Sequence, residues 1–411
     1  MRNGFINGLI LVCALIVSLL VADVAARTLT HFPIHSPAAN LTFDDRLLYR
    51  VDPGVRGIDS NGFRNPEEYT RDFPEIAAIG DSFTLGYNVE SADSWPAVLG
   101  QEIGQPVYNL GVGSYGLLQY VELVRLAAQM GAKKVIVAFA TINDLSICNV
   151  ARLKYWQEEM FADPAFKAQM LEYCSLSPAK VGLTPEQIIV RKYRGIKRWL
   201  ESNSALYSMW KHVQGLVRAR RDVFSRNPSA EYSQVTAATE NCARPEKDFI
   251  FEVHGSKDFV PELYGEAGYL PYFQKSVTSE FASAFLLKAL QRIKATADEN
   301  DIEVLFLIIP TEALVITRYL SQVDGAPTLP AWLDQSVKGE AAHVATLMQT
   351  LDAMDLPVLD ATDHVVEAYG RAIGAGEIFF PCRDSHPLQA GYRAYGEAAR
   401  ELLQSNRAGG G

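Results

Sequence analysis

Ile76-Ala77-Ala78-Ile79-Gly80-Asp81-Ser82-Phe83-Thr84-Leu85-Gly86 opens with four apolar residues and then breaks at a glycine. A short apolar run closed by a turn residue has the pattern of a strand buried on both faces. Ser82 is therefore expected at the carboxyl end of a central strand, where the chain turns into a helix and where open α/β sheets bind ligands. A serine in that position can be exposed, with its own backbone N–H facing an incoming carbonyl oxygen and a helix N-terminus favouring developing negative charge. Taken alone, Gly80-Asp81-Ser82 is also an ordinary helix entry with Asp or Ser as the cap.

Four more apolar runs follow at wide spacing: Val107 to Leu110, Lys134 to Ala140, Glu303 to Ile309 and Pro357 to Leu359. Helical periodicity fills several gaps between them. Gln119 to Gln129 places Tyr120, Leu123, Val124 and Ala127 on one side, and Ser279 to Glu299 does the same with Ala282, Phe285, Leu286, Ala289 and Ile293. Strands alternating with helices imply an α/β fold with a doubly wound parallel sheet of five strands. The expected order is 2-1-3-4-5, which sets the first and third strands side by side at the switch point. Between Cys148 and about Phe273 the strand pattern disappears and aromatic and charged residues recur at helical spacing, so a mainly helical insertion is expected there.

The other strand ends carry chemistry too. The second run leads into Asn109-Leu110-Gly111-Val112-Gly113-Ser114-Tyr115-Gly116, and the third into Thr141-Ile142-Asn143-Asp144. A glycine-bearing turn lets backbone N–H groups approach a substrate oxygen, and an Asn side chain adds another donor, so the two together can form an oxyanion hole. Each by itself could equally be a structural turn. Near the C-terminus, Phe380-Pro381-Cys382-Arg383-Asp384-Ser385-His386-Pro387 places an acid two residues before a histidine. A serine hydroxyl is a poor nucleophile until an imidazole takes its proton, and the imidazole needs a carboxylate to fix its tautomer.

These four blocks resemble the Ser, Gly, Asn and His blocks of the SGNH (GDSL-type) hydrolases, over roughly Ile76 to Tyr392. The resemblance implies a flavodoxin-like three-layer α/β/α fold and a serine esterase. It implies Ser82 as nucleophile, His386 as base and Asp384 as its partner, with the oxyanion held by the Ser82 backbone, the turn at Gly113 or Ser114, and the Asn143 side chain. Asn61-Gly62-Phe63-Arg64, ahead of the first block, resembles large exported bacterial members of the family, some acting on acylated polysaccharides. Three departures stand out. The family glycine of the second block aligns with Ser114 rather than Gly113, Thr141 replaces the usual glycine before Asn143, and Arg383 occupies the slot where many members carry the acid.

Composition narrows the class further. Hydrophobic residues make up 48% and charged residues 21% of the 411-residue chain, as in globular proteins. The formal charge is −10, and the only short basic cluster, around Arg218, Arg220 and Arg221, reads as a solvated helix face, which argues against nucleic acid as a partner. Arg2, the apolar stretch Leu9 to Val21 and the small residues Val24-Ala25-Ala26 read as a signal peptide. An uncleaved anchor is the competing reading, so the expected location is periplasmic or secreted, with membrane association through this segment left open. Export makes disulfides among Cys148, Cys174, Cys242 and Cys382 plausible, with the pairing open.

The expected layout is a leader or anchor (1–26), an N-terminal extension (27–70), the first half of the catalytic domain (71–149), the insertion (150–273), the second half (274–405) and a short tail (406–411). Neither the cysteine spacing nor the histidines, His254 and His364 among them, have metal-ligand spacing, so no metal and no cofactor is expected. Glu90, Glu312 and Asp144 are not brought together by any spacing, which argues against a paired-carboxylate glycosidase. The expected partner is a small-molecule or carbohydrate ester, with O-acetyl groups of extracellular or cell-envelope carbohydrate in front. A polysaccharide O-acetyltransferase, a lipid acylhydrolase and a non-catalytic carbohydrate-binding subunit are the alternatives.

Overall fold

A computed structural model describes residues 14, 17–19, 21–24, 41–44, 46–53, 55, 57–141, 163–173, 247–253, 256–261, 279–381 and 384–409. The N-terminal extension supplies a small antiparallel hairpin, β1 (Leu41–Asp44) and β2 (Leu48–Val51). The run Ile76-Ala77-Ala78-Ile79 forms β3 (Ile76–Ile79), and a single helical turn, α1 (Ser82–Leu85), follows it directly. Then come α2 (Trp95–Ile103), β4 (Val107–Asn109), α3 (Leu117–Met130) and β5 (Lys134–Ala140). The insertion contributes α4 (Pro164–Tyr173) and a second hairpin, β6 (Phe249–Val253) with β7 (Ser256–Val260). The chain closes with α5 (Glu280–Glu299), β8 (Glu303–Ile309), α6 (Glu312–Leu320), α7 (Ala331–Asp352), β9 (Val358–Asp360), α8 (Thr362–Gly374) and α9 (Gln389–Gly409).

The central sheet is five-stranded in the order β4-β3-β5-β8-β9, and every pair is parallel. In strand sequence this is 2-1-3-4-5, with the first strand between the second and third. Its strands are apolar because helices cover both faces. Alternate residues sort cleanly. Ala77, Ile79, Val135, Val137, Phe139, Phe306 and Ile308 meet α3, α5 and part of α7 on one face. Ile76, Ala78, Ile136, Ala138, Leu305, Leu307 and Ile309 meet α2, α6, α8 and α9 on the other. Leu305, Phe306, Leu307 and Ile308 are fully buried, each contributing about 1.5–3 kcal/mol of transfer free energy, so β8 anchors both layers.

The insertion departs from expectation. Where the sequence pattern gave no strand, β6 and β7 pair in register from Phe249 with Val260 to Val253 with Ser256. Phe251 and Val253 are buried while Ile250 and Glu252 are exposed, a period of two that one partly exposed hairpin face produces. Phe251, Val253 and Val260 join the core on the α6 and α8 side.

Asn143, Cys148, Cys174, Cys242, Cys382, His254, the Arg218–Arg221 cluster and most of the expected leader lie outside the described residues. Among the described residues no helix is long and apolar enough to cross a membrane.

Candidate active site

Ser82 stands at the first position of α1, immediately beyond β3. Asp81 caps that turn, its carboxylate accepting the Phe83 N–H at 2.9 Å. The turn is tight for a steric reason. A Cβ on Gly80 would lie 2.0 Å from Thr84 Oγ1, and one on Gly111 would lie 2.4 Å from the Leu85 nitrogen. Only glycine lets the β3–α1 turn and the segment after β4 approach each other this closely.

Asp384 and His386 arrive on the segment between α8 and α9. Asp384 Oδ1 accepts the backbone N–H of His386 at 3.0 Å and faces its Nδ1 at 2.5 Å. One oxygen thus holds both the main chain and the ring of the same residue, which an Asx-type turn makes feasible at a spacing of two. That local closure is the physical reason the shorter spacing still pairs the acid with the histidine.

The other ring nitrogen of His386, Nε2, lies 2.7 Å from Ser82 Oγ. An ionised Asp384 can only accept, so Nδ1 carries the proton and Nε2 offers its lone pair to the Ser82 hydroxyl. Burial pushes the Asp384 carboxyl up, but hydrogen bonds from the His386 ring and backbone, the imidazole charge and the Asn88 amide outweigh it and hold Asp384 below the usual carboxylate range. The acid therefore stays charged at neutral pH. Phe83 and Tyr87 pack on the imidazole with ring centroids 4.4 and 5.0 Å away, and the His386 side chain keeps 16% exposure. The ring is fixed in plane yet open to a substrate.

The turn after β4 is also built from the inside. Asn109 Oδ1 accepts the Gly111 N–H at 2.8 Å and its amide donates to Thr84 O at 2.8 Å, so one buried side chain ties this turn to α1. Tyr49 of β2 donates to Gly113 O at 2.8 Å, and Tyr115 donates back to Tyr49 O. Ser114 sits at φ 66°, a left-handed conformation that glycine adopts most readily. Among the described residues, neither the Ser82 N–H nor the Gly113 N–H has an acceptor. Two unpaired amides beside a serine hydroxyl could receive an oxyanion.

No protein-family profile matches the sequence, and no curated protein matches it. Among solved structures, the chain is similar to a protein of the G-D-S-L family, described as lipolytic, from Desulfitobacterium hafniense DCB-2. The identity is 14% with a TM-score of 0.32, over 80% of this chain and 98% of that one. A second solved structure gives 14% identity and a TM-score of 0.32, over 80% of this chain and 95% of that chain.

Several residues support the site from behind. Arg64 donates to Gly86 O at 2.6 Å, Leu85 O at 3.2 Å and Val89 O at 2.8 Å, closing the carbonyl end of α1 and the loop beyond it. Asn65 accepts the Asn109 N–H at 2.7 Å and donates to Asp59 at 3.1 Å, and Tyr108 donates to the same carboxylate at 2.5 Å. The stretch Asn61-Gly62-Phe63-Arg64 is thus part of the scaffold beneath Ser82.

Thr141 donates to Glu340 at 2.6 Å, and the same buried carboxylate accepts from Thr311 Oγ1 at 2.5 Å, so the ends of β5 and β8 are clamped to α7. Glu340 is one acid that burial pushes above its usual range. Glu90 is exposed, Glu312 is buried in the first turn of α6, and His364 Nε2 lies 3.2 Å from Glu401.

Proposed function

We propose that the protein is a serine esterase of the SGNH type that hydrolyses oxygen esters, with O-acetyl groups on extracellular or cell-envelope carbohydrate as the substrate class. The observation that carries this reading is the continuous relay from Ser82 Oγ to His386 Nε2 at 2.7 Å and from His386 Nδ1 to Asp384 Oδ1 at 2.5 Å. In this mechanism Ser82 Oγ attacks the ester carbonyl while its proton passes to Nε2. Asp384 balances the imidazolium that forms. The Ser82 amide and the turn at Gly113 or Ser114 receive the oxyanion, and the resemblance to the SGNH blocks assigns the Asn143 side chain the remaining donor. Collapse of the tetrahedral adduct expels the alcohol, which takes the proton from Nε2, and leaves an acyl-Ser82. Water then attacks by the reverse proton path and releases the acid.

The apolar N-terminal stretch supports a periplasmic or secreted location, and export supports a cell-envelope ester over a cytosolic one. The test is hydrolysis of p-nitrophenyl acetate against p-nitrophenyl octanoate by the protein beside Ser82→Ala and His386→Ala. Turnover that prefers acetate and falls by about 10⁶-fold in kcat in either variant is the expected result. Equal rates in all three proteins, or none in any, would overturn the esterase reading. A preference for octanoate would move the substrate class to lipid esters.

A further inference from the structure

Asn88 lies six residues beyond the nucleophile on the loop that leaves α1, and its backbone has φ 69°. That conformation alone is a reason to find asparagine, which tolerates the left-handed region better than most residues. The side chain nevertheless has a specific target. Its amide nitrogen lies 3.1 Å from Asp384 Oδ2 and 3.4 Å from the His386 carbonyl oxygen, across 296 and 298 positions of sequence. Asp384 Oδ1 is already occupied by the backbone and ring of His386, so Asn88 takes the remaining oxygen. The carboxylate is then held at both ends and cannot rotate about its Cβ–Cγ bond without breaking one of them.

We propose that Asn88 is a positioning residue for the Asp384–His386 pair. Its carboxamide fixes the plane of the Asp384 carboxylate so that Oδ1 stays on the imidazole while Ser82 exchanges its proton with Nε2. The inference builds on the serine-esterase reading for its consequence to turnover, though not for its structural content.

The surrounding structure is arranged to present this amide. Arg64 pins Leu85 O, Gly86 O and Val89 O, which bracket Tyr87 and Asn88 on both sides. Tyr87 packs on the imidazole from the same loop, so one short segment contacts both members of the pair. Among the described residues the groups that face Asp384 are His386, Asn88, Tyr87 and, at longer range, Tyr392, and Asn88 adds to the pull that keeps the carboxylate charged. Tyr87 and Tyr392 are both shifted upward, first by burial and then in part by the Asp384 charge, so neither titrates near neutral pH.

The experiment compares the full-length protein with Asn88→Gly and Asn88→Asp. Glycine keeps the left-handed backbone and removes only the carboxamide. Aspartate keeps the shape and sets a like charge against Asp384. Two readouts are taken: the pH titration of the Asp384 carboxyl carbon by ¹³C NMR, assigned with Asp384→Asn, and kcat on p-nitrophenyl acetate.

The expected result is a titration displaced to higher pH in Asn88→Gly and further in Asn88→Asp, because one change removes a donor to the charged form and the other adds repulsion. With it, kcat falls about tenfold in Asn88→Gly while KM stays within about twofold. An Asn88→Gly protein that titrates and turns over like the wild type would overturn the proposal and leave Asn88 as a turn residue only. If no protein shows Ser82-dependent turnover, the esterase reading falls, while the Asp384 titration still decides the role of Asn88.

Discussion

At Gly111 the two halves of the site come into backbone contact. A methyl group there would meet the Leu85 nitrogen at 2.4 Å and the Thr84 carbonyl carbon at 2.6 Å, neither of which can swing aside as a side chain would. Gly111→Ala is therefore expected to cost about 1–3 kcal/mol in urea unfolding, as overpacking does. It should also lower kcat about tenfold or more, because it separates Ser82 from the turn carrying Gly113. Ser82, Asp384 and His386 were legible in sequence since each sits in a short local motif, and the structure brings them within hydrogen-bonding distance of one another. Asn88 and Tyr49 were not. Tyr49 reaches Gly113 over 64 positions and Asn88 reaches Asp384 over 296, and no local pattern encodes such pairings. Gly113 and Ser114 could not be told apart from composition, because the distinction lies in backbone torsion, with Ser114 at φ 66°.

Among the elements, the sheet strands were legible almost to the residue, most sharply β3, β5 and β8, whose apolar runs are buried on both faces. The β6–β7 hairpin was not, because Glu252, Lys257 and Asp258 break its apolar run and only one face is covered. Asp258 shows what that docking costs. Its carboxylate accepts Tyr369 OH at 2.7 Å and its own strand's Phe259 N–H at 2.8 Å, yet burial pushes it from the ordinary 3.8 up to about 6. A carboxyl with a higher pKa folded than unfolded binds more protons in the native state, so its contribution makes stability fall as pH rises through that window. Urea unfolding between pH 4 and pH 7 should show the wild type losing about 2–3 kcal/mol relative to Asp258→Asn. Parallel pH profiles for the two proteins would contradict this account of the hairpin. The N-terminal hairpin plays a different part: through Tyr49 it holds the turn carrying Gly113, so an extension that reads as accessory in sequence is joined to the site.

For the molecule as a whole, the order β4-β3-β5-β8-β9 puts β3 between two neighbours whose outgoing connections diverge, and the crevice opens at its carboxyl end. That much follows from strand spacing and apolar runs. The β6–β7 hairpin in the connection between β5 and α5 does not, since the helical spacing of aromatic and charged residues there gave no strand. The contact between Ser82 and His386 joins residues 304 positions apart, one at the start of the sheet and the other just before the last helix. In time, this makes competence a late event. Most of the parallel sheet can assemble while the final segment is still unplaced, and a chain in that state would have secondary structure but no base beside its serine. Contacts so distant in sequence also carry the largest closure cost, which delays them. In stopped-flow refolding, far-UV circular dichroism should recover before the ability to hydrolyse p-nitrophenyl acetate, and a lag in the second signal would record the moment α9 docks. Recovery of both signals in one phase would mean that the two ends of the chain meet as early as the sheet itself.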